Sequence, residues 1–388
     1  MRTMDIRGLV LINSTSEAAA TPVALSPLPP ALLEVAGKSS LQRTTERLRQ
    51  LGIEHCISVI EAEDPQISQV KNGPSIFASR DRFWRAAENA FNDIIQDGAE
   101  LVILVRLGSY AEIDFEELVQ FHLDHHCRVT QVSHQCQPIE VFCISASRRN
   151  DAASLFRSRL SKCRSECPLF EHAGYFNSLA GPYDLRQLAI DILTLKTETS
   201  PAGKQIRPGV WLEDSAVIEK GARVVAPAFI GAFARVRTHA VITRCSSVEH
   251  HAQVDCGTVI ENSTVLPYAC VGAGLDLAHS VVGLGSLANL RRDITIEVSD
   301  PKLIGYVSAT PGLRVLNAAL EFTTYLPKQI WHGLFGKSQP QQPDLKTALR
   351  QTSPALGSAA GYKASACNTE AAGEFPSNLA IVRRYGHQ

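Results

Sequence analysis

The sequence predicts a two-part chain, an α/β domain with a mainly parallel sheet followed by a parallel β-solenoid. Three observations predict it. Apolar strands and amphipathic helices alternate over residues 5–196, an aliphatic residue recurs every six positions from Ile206, and a stretch rich in Gln, Pro, Ser, Gly and Ala begins at Ser338. The length agrees: 388 residues exceed one ordinary core and fit two domains plus a tail. Hydrophobic residues make up 45%, enough to bury sizeable cores and to exclude a wholly disordered chain.

Within the first part, Arg7–Ile12 reads as a short apolar strand. Ser40–Leu51 reads as a helix that turns Leu41, Leu48 and Leu51 inward and stops at Gly52. Cys56–Ile60 is the next strand. Arg82–Gln96 is an amphipathic helix with Phe83, Trp84, Ala87, Phe91, Ile94 and Ile95 on its inner side. Leu101–Val105 is apolar throughout, as a strand covered on both faces should be. A helix over Asp114–His125 and strands near Val129–Val132 and Ile139–Ile144 follow. Pro182–Lys196 closes the domain as a helix, with proline suited to its first turn.

The second part is read from its repeat. Ile206, Leu212, Ile218, Val224, Ile230, Val236, Ile242, Val248, Val254, Ile260 and Leu266 stay in phase, each followed four positions later by a small or β-branched residue from Val210 to Cys270. The frame then slips by one residue and continues through Val271, Leu277 and Val281. A helix of 3.6 residues per turn would smear a period of six around its surface, and a simple strand would alternate with period two. A solenoid with one short strand and one corner per hexad fits, three hexads closing a triangular coil. Beyond it, Leu313, Leu316 and Leu320, then Ile330, Trp331, Leu334 and Phe335, predict a helical cap over the open strand edges. The expected divisions are 1–198 for the α/β domain, 199–205 for a linker, 206–300 for the solenoid, 301–337 for the helical cap and 338–388 for a disordered tail.

Charge and cysteine content narrow the function. Thirty-eight Lys and Arg against 39 Asp and Glu leave a net charge of -1, without the basic excess a nucleic-acid partner demands. The longest apolar runs, Leu9–Ile12 and Leu101–Val105, fall far short of the roughly 18 residues a membrane span needs. Arg2 and Arg7 precede only four apolar residues, so no secretory signal is expected. Ten cysteines without paired spacing predict free thiols and a cytoplasmic protein.

Gly8–Leu11, Pro29–Lys38 and Leu41–Ile53 resemble the start of a sugar-phosphate nucleotidyltransferase, of the mannose-1-phosphate guanylyltransferase type. Ala111–His122 resembles the segment after that family's central metal-binding strand, and Gly174–Leu185 its closing motif. The resemblance covers most of residues 5–285. It implies a truncated Rossmann-like domain, a left-handed hexapeptide-repeat β-helix, a setting in sugar-nucleotide or surface-polysaccharide metabolism, and a homo-oligomer, most simply a trimer, packed through residues 206–285 on faces carrying Phe229 and Phe233. The departures fall on the chemistry. The family's glycine-rich, arginine-bearing phosphate loop is replaced by Asn13–Ala20, which has neither residue type and carries Glu17. Positions aligned with the family's cations and metal carboxylates are Ser14, Ala19, Pro30, Gly108 and Ser178, none of which can supply a positive charge or a carboxylate. Loss of all these groups predicts a pseudoenzyme without nucleotidyl transfer, holding no cofactor and no metal, that serves as a binding, assembly or regulatory subunit for a protein partner or a sugar-phosphate-type ligand. The competing expectation is an active enzyme, either a divergent nucleotidyltransferase or a hexapeptide-repeat acyltransferase using His239, His250, His251 or His279 as general base.

Other constellations are weaker. His122, His125 and His126 around Asp124 lack a third metal ligand, and Cys163 with Cys167 lacks a second pair. Arg148, Arg149, Arg157, Arg159, Lys162 and Arg164 read as a solvated basic face.

Overall fold

Each strong periodicity in the first half becomes one element of a layered sheet. The computed structural model describes residues 4–13, 25–61, 74–146, 156 and 168–307. In chain order the first half comprises β1 (Ile6–Ile12), β2 (Glu34–Val35), β3 (Lys38–Ser39), α1 (Ser40–Gln50), β4 (Cys56–Glu61), β5 (Ser75–Ala78), α2 (Phe83–Gln96), β6 (Leu101–Arg106), β7 (Tyr110–Ala111), α3 (Phe115–Asp124), β8 (Val129–His134), β9 (Gln137–Ser145), β10 (Leu169–Glu171), β11 (Phe176–Asn177) and α4 (Pro182–Leu193). Seven strands make a mixed sheet in the order β10-β8-β9-β6-β1-β4-β5. β9 runs antiparallel to its neighbours β6 and β8; the other pairings are parallel.

The alternation of side chains explains the layers. Val10, Ile12, Ile103 and Val105 pack with Leu41 and Leu48 of α1 and Leu118 of α3, whereas Leu9, Leu11, Val102 and Leu104 pack with Phe83, Ala87, Phe91 and Ile94 of α2. β1 and β6 are therefore covered on both faces. Local chemistry sets the helix starts. Ser39 and Gln42 form a reciprocal capping box on α1, and Asp114 accepts the Glu116 and Glu117 amides at 3.0 Å each to start α3. Trp84 departs from expectation: it is 46% exposed, because the buried stripe of α2 runs through Phe83, Ala87, Ala90 and Phe91 and leaves Trp84 on the flank.

The second half consists largely of short strands distributed over three sheets, visited in turn. The first sheet contains Val210–Leu212, Ala228–Ile230, Ser246–Val248, Thr264–Val265 and Ser280–Val282. The second contains Val217–Ile218, Arg235–Val236, Gln253–Val254 and Ala269–Val271, and the third Arg223–Val224, Val241–Thr243, Val259–Glu261 and Asp276–Ala278. Within each sheet these strands are parallel, an arrangement compatible with a β-helix. Ile230, Val236, Ile242, Val248, Val254 and Ile260 are all fully buried in one interior cluster.

The frame slip lies one corner earlier than the repeat implied. Val248 pairs with Val265, Val254 with Val271 and Ile260 with Leu277. Leu266 and Val281, expected inside, face the α/β half, while Val265 and Val282 take the inner positions. Backbone conformation gives the reason. Between the third and first sheets, one corner uses two left-handed residues, Arg244 (φ 53°) and Cys245 (φ 56°); the equivalent corner one round later turns with Asn262 alone (φ 45°).

The two halves share a core. Val35, Ala36, Leu185, Leu188 and Ile192 pack with Phe229, Leu266, Val281 and Ala288 on the first sheet, and within the described residues both halves belong to one compact unit. Phe229, expected on an oligomer face, is thus fully buried inside the chain, whereas Phe233 is 55% exposed. The expected linker is tied down: Ala202 N–H donates to Ala36 O at 3.0 Å, and Lys204–Arg207 pairs antiparallel with Val210–Leu212. The described start of the expected helical cap, 301–307, is a turn and a strand, Ile304–Tyr306, which pairs antiparallel with Ala269–Val271 and satisfies that open edge through its own backbone. The rest of the cap and the expected tail lie outside the described residues. Among the described residues no helix is long and apolar enough to cross a membrane.

Candidate functional site

In the first half, β4 lies on one side of β1 and β6 on the other, so the chain connections diverge between β1 and β6. Open α/β sheets bind ligands in the crevice beyond the carboxyl ends of the strands at such a point. Two side chains emerge there. Arg106, at the end of β6, donates from Nε to Asn13 Oδ1 at 3.0 Å, just past β1. Its guanidinium also lies 3.6 Å from Glu140 and 5.4 Å from the centre of the Trp84 ring. Gly108 lies two residues on, its N–H bonded to Arg106 O at 3.0 Å.

Of the positions that the resemblance aligns with catalytic groups, Gly108 stands beside this crevice. Pro30 opens a single 3-10 turn whose Ala31 and Leu32 enter the core with Val10 and Ile12. Ser178 donates to Asp184, which also accepts the Ala180 N–H at 2.9 Å, so both serve the start of α4. Ser14, Ala19 and Glu17 lie outside the described residues. Arg106, Asn13 and Trp84 were missed by motif alignment. Arg106 was legible in a simpler way, as the charge that directly ends the apolar run Leu101–Val105.

Of the four histidines of the second half, His250 and His251 meet edge to face with ring centroids 5.5 Å apart, while His239 and His279 sit at other corners. His239, His251 and His279 occupy left-handed corner positions, with φ of 61°, 55° and 51°, on three different edges of the second half. His251 is stacked between Phe233 and Tyr268, with ring centroids 4.8 and 4.9 Å away. His279 Nδ1 meets Asn262 Nδ2 at 2.6 Å. Histidine is one of the residues that tolerates positive φ, which accounts for its recurrence at corners. His122 is a satisfied core residue: Thr130 and Ser145 hydroxyls lie 2.8 and 2.9 Å from its two nitrogens, and burial pulls it down to about 4. His125 bonds to Phe121 O, and His126 closes α3 with φ 49°. Cys163, Cys167 and the basic run 148–164 lie outside the described residues. Among the described residues no group of three or more His, Cys, Asp or Glu is placed to hold a metal ion.

His250, which also packs edge-on against His251 and Tyr268, belongs to the joint between the halves. Fully buried Glu249 accepts the Ala36 N–H at 2.9 Å and the Gly37 N–H at 3.0 Å, gripping the tight turn between β2 and β3. Beside it His250 pairs with Glu34. Glu213 accepts the Ala232 N–H at 2.8 Å on the neighbouring strand end. Buried Arg43 donates to Val35 O at 2.7 Å behind the same turn, and burial depresses its pKa. At the opposite edge of the first sheet, buried Arg186 of α4 donates to Cys245 O and Asn262 Oδ1 at 2.7 Å each and to Asn262 O at 3.1 Å. The α/β half is therefore held against the first sheet at both corners.

The joint has a definite pH response. Burial pushes Glu249 up to about 7, against the downward pull of the two amides. Burial lowers His250, but Glu34, with Glu249 and Glu213 behind it, outweighs that and raises it overall. A carboxylate and a histidine whose folded pKa values are both raised each stabilise the fold at lower pH. The Glu249 share is lost from the ordinary carboxylate range up to about pH 7, and the His250 share above its ordinary value. The melting temperature should therefore be lower at about pH 8 than at about pH 6, with a smaller difference in Glu249→Gln; equal pH differences in both proteins would show that Glu249 does not titrate in this window.

The chain matches no protein-family model and no curated protein.

Proposed function

We propose that the chain is a non-catalytic binding, assembly or regulatory subunit. In this reading a nucleotidyltransferase-like α/β domain is fused to a left-handed parallel β-helix and acts in sugar-nucleotide or surface-polysaccharide metabolism. The observation that carries it is the state of Arg106. The guanidinium at the carboxyl-end crevice is engaged by Asn13, Glu140 and the face of Trp84, so its charge is already partly neutralised where a nucleoside triphosphate would need it. The double attachment of the α/β half to the first sheet supports the same reading, because a rigid two-part body suits assembly better than domain closure around a substrate. Self-association through residues 206–285 follows from the resemblance, which implies a trimer.

Incubation with each nucleoside triphosphate and a panel of sugar phosphates, with Mg²⁺, tests the proposal. Pyrophosphate release should not exceed background, and calorimetry should find no Mg²⁺-dependent nucleotide binding tighter than millimolar. Turnover that disappears when a single side chain in residues 13–30 is replaced would overturn the reading and restore an enzyme.

A further inference from the structure

The first sheet of the second half is covered by the α/β half, and the second presents a mixed row of Val217, Arg235, Gln253 and Cys270. The third sheet is different. Its four strands carry two outward rows, because Val224, Ile242, Ile260 and Leu277 between them point inside. One row is Arg223, Val241, Val259 and Asp276, in register across the sheet. The other is Val225, Thr243, Glu261 and Ala278. Arg223, Val225 and Asp276 are exposed, and the central residues are half-buried.

The first row complements itself in charge when its order is reversed, and in the second the one charge, Glu261, is already paired with Arg244 of its own chain at 2.6 Å. A two-fold axis lying in the interface, parallel to the strands and between the second and third of them, sets Arg223 against the partner's Asp276 and Val241 against the partner's Val259. The same axis sets Val225 against the partner's Ala278 and Thr243 against the partner's Glu261. Opposite charges therefore meet at both ends, with valines between them. In a parallel three-fold bundle the contact is heterologous, so the row would face a different surface of its neighbour and its self-complementarity would go unused.

We propose that the third sheet is the self-association surface and that it pairs two copies of this chain about a two-fold axis. The proposal keeps the self-association of the assembly reading above but replaces the trimer that the resemblance implies with a two-fold pair, and it rests on that reading only for the expectation that copies associate. A face four strands tall is small for a permanent dimer, so dissociation in the micromolar range is expected.

Sedimentation of the full chain, up to about 100 µM because small interfaces are weak, provides the test. The wild type should approach twice the chain mass of 42.2 kDa. Arg223→Asp should weaken pairing at least roughly tenfold, as should Asp276→Arg, while the double variant should recover most of the wild-type affinity. All these positions are on the surface, so unchanged thermal melting checks that the variants fold. A double variant as weak as the singles, or weaker, overturns the two-fold arrangement. A wild-type trimer also overturns it while leaving the assembly reading intact, whereas a monomer throughout sinks both.

Discussion

Ile230→Asp should leave no soluble folded protein, the largest effect expected of any single change in the second half. Ile230 is fully buried, sits in register between Leu212 and Val248, and belongs to the interior cluster of the three sheets. An aspartate there places a carboxylate among aliphatic side chains such as Leu212, Val236, Ile242 and Val248. Burying an unpaired charge costs several kcal/mol, even after its pKa rises to neutralise it, against a total stability of about 5–15 kcal/mol. The smaller variant Ile230→Ala keeps the test quantitative, with an expected loss of about 2–5 kcal/mol. Arg235→Ala, on an exposed position five residues on, should cost under about 1 kcal/mol. His251→Ala should cost around 1 kcal/mol, because it removes two ring stacks rather than a solvated side chain. Denaturant melts rank the three soluble variants against the wild type, and equal losses for Ile230→Ala and Arg235→Ala would show that the inward phase is misassigned.

The inward phase was legible because burial there obeys a strict count. From Val224 to Ile260 each sixth residue must fill the interior, and the composition of those positions says so. The slip at Asn262 was misread for a local reason: Val265 and Leu266 are adjacent aliphatics, and the pattern could not tell which enters the core and which meets the α/β half. The same blindness hid the fate of Phe229, since an apolar residue on an outer face looks alike whether a second copy or the same chain covers it. Helix positions of the first half were clear from their stripes and caps, apart from Trp84, whose size suggested burial while its angular position put it on the flank. The site was harder. The positions that the resemblance aligns with catalytic groups could be named, but the contacts of Arg106 depend on side chains 22 to 93 residues distant in sequence, brought together by sheet order. Glu249 carried no signal at all. A lone glutamate after a hexad valine gives no sign that it will be buried against the turn at Ala36–Gly37, 213 residues earlier.

That turn supplies the second large effect. Glu249→Ala should cost about 2–4 kcal/mol, because it strips the acceptor from two backbone amides that remain enclosed between the halves. Glu249→Gln should recover only part of the loss: its oxygen can accept one amide, but its NH₂ group then faces the other donor. Gly37→Ala reaches the same joint by another route. Gly37 has φ +84°, and an added Cβ would lie 2.6 Å from Ala202 Cβ and 2.8 Å from Phe229 Cζ, so the turn must move away from the sheet. Arg186 holds the far edge through three hydrogen bonds to half-buried Cys245 and Asn262, and Arg186→Ala removes all three. Because the halves share a core, the wild type should unfold in one cooperative calorimetric transition. Combining Glu249→Ala with Arg186→Ala frees both edges of the first sheet, and the transition should then split in two as the α/β half melts before the three-sheet half. A double variant that still melts in a single transition within a degree or so of the wild type, a shift smaller than about 1 kcal/mol produces, would mean that apolar contact alone holds the halves together and that the two polar grips are dispensable.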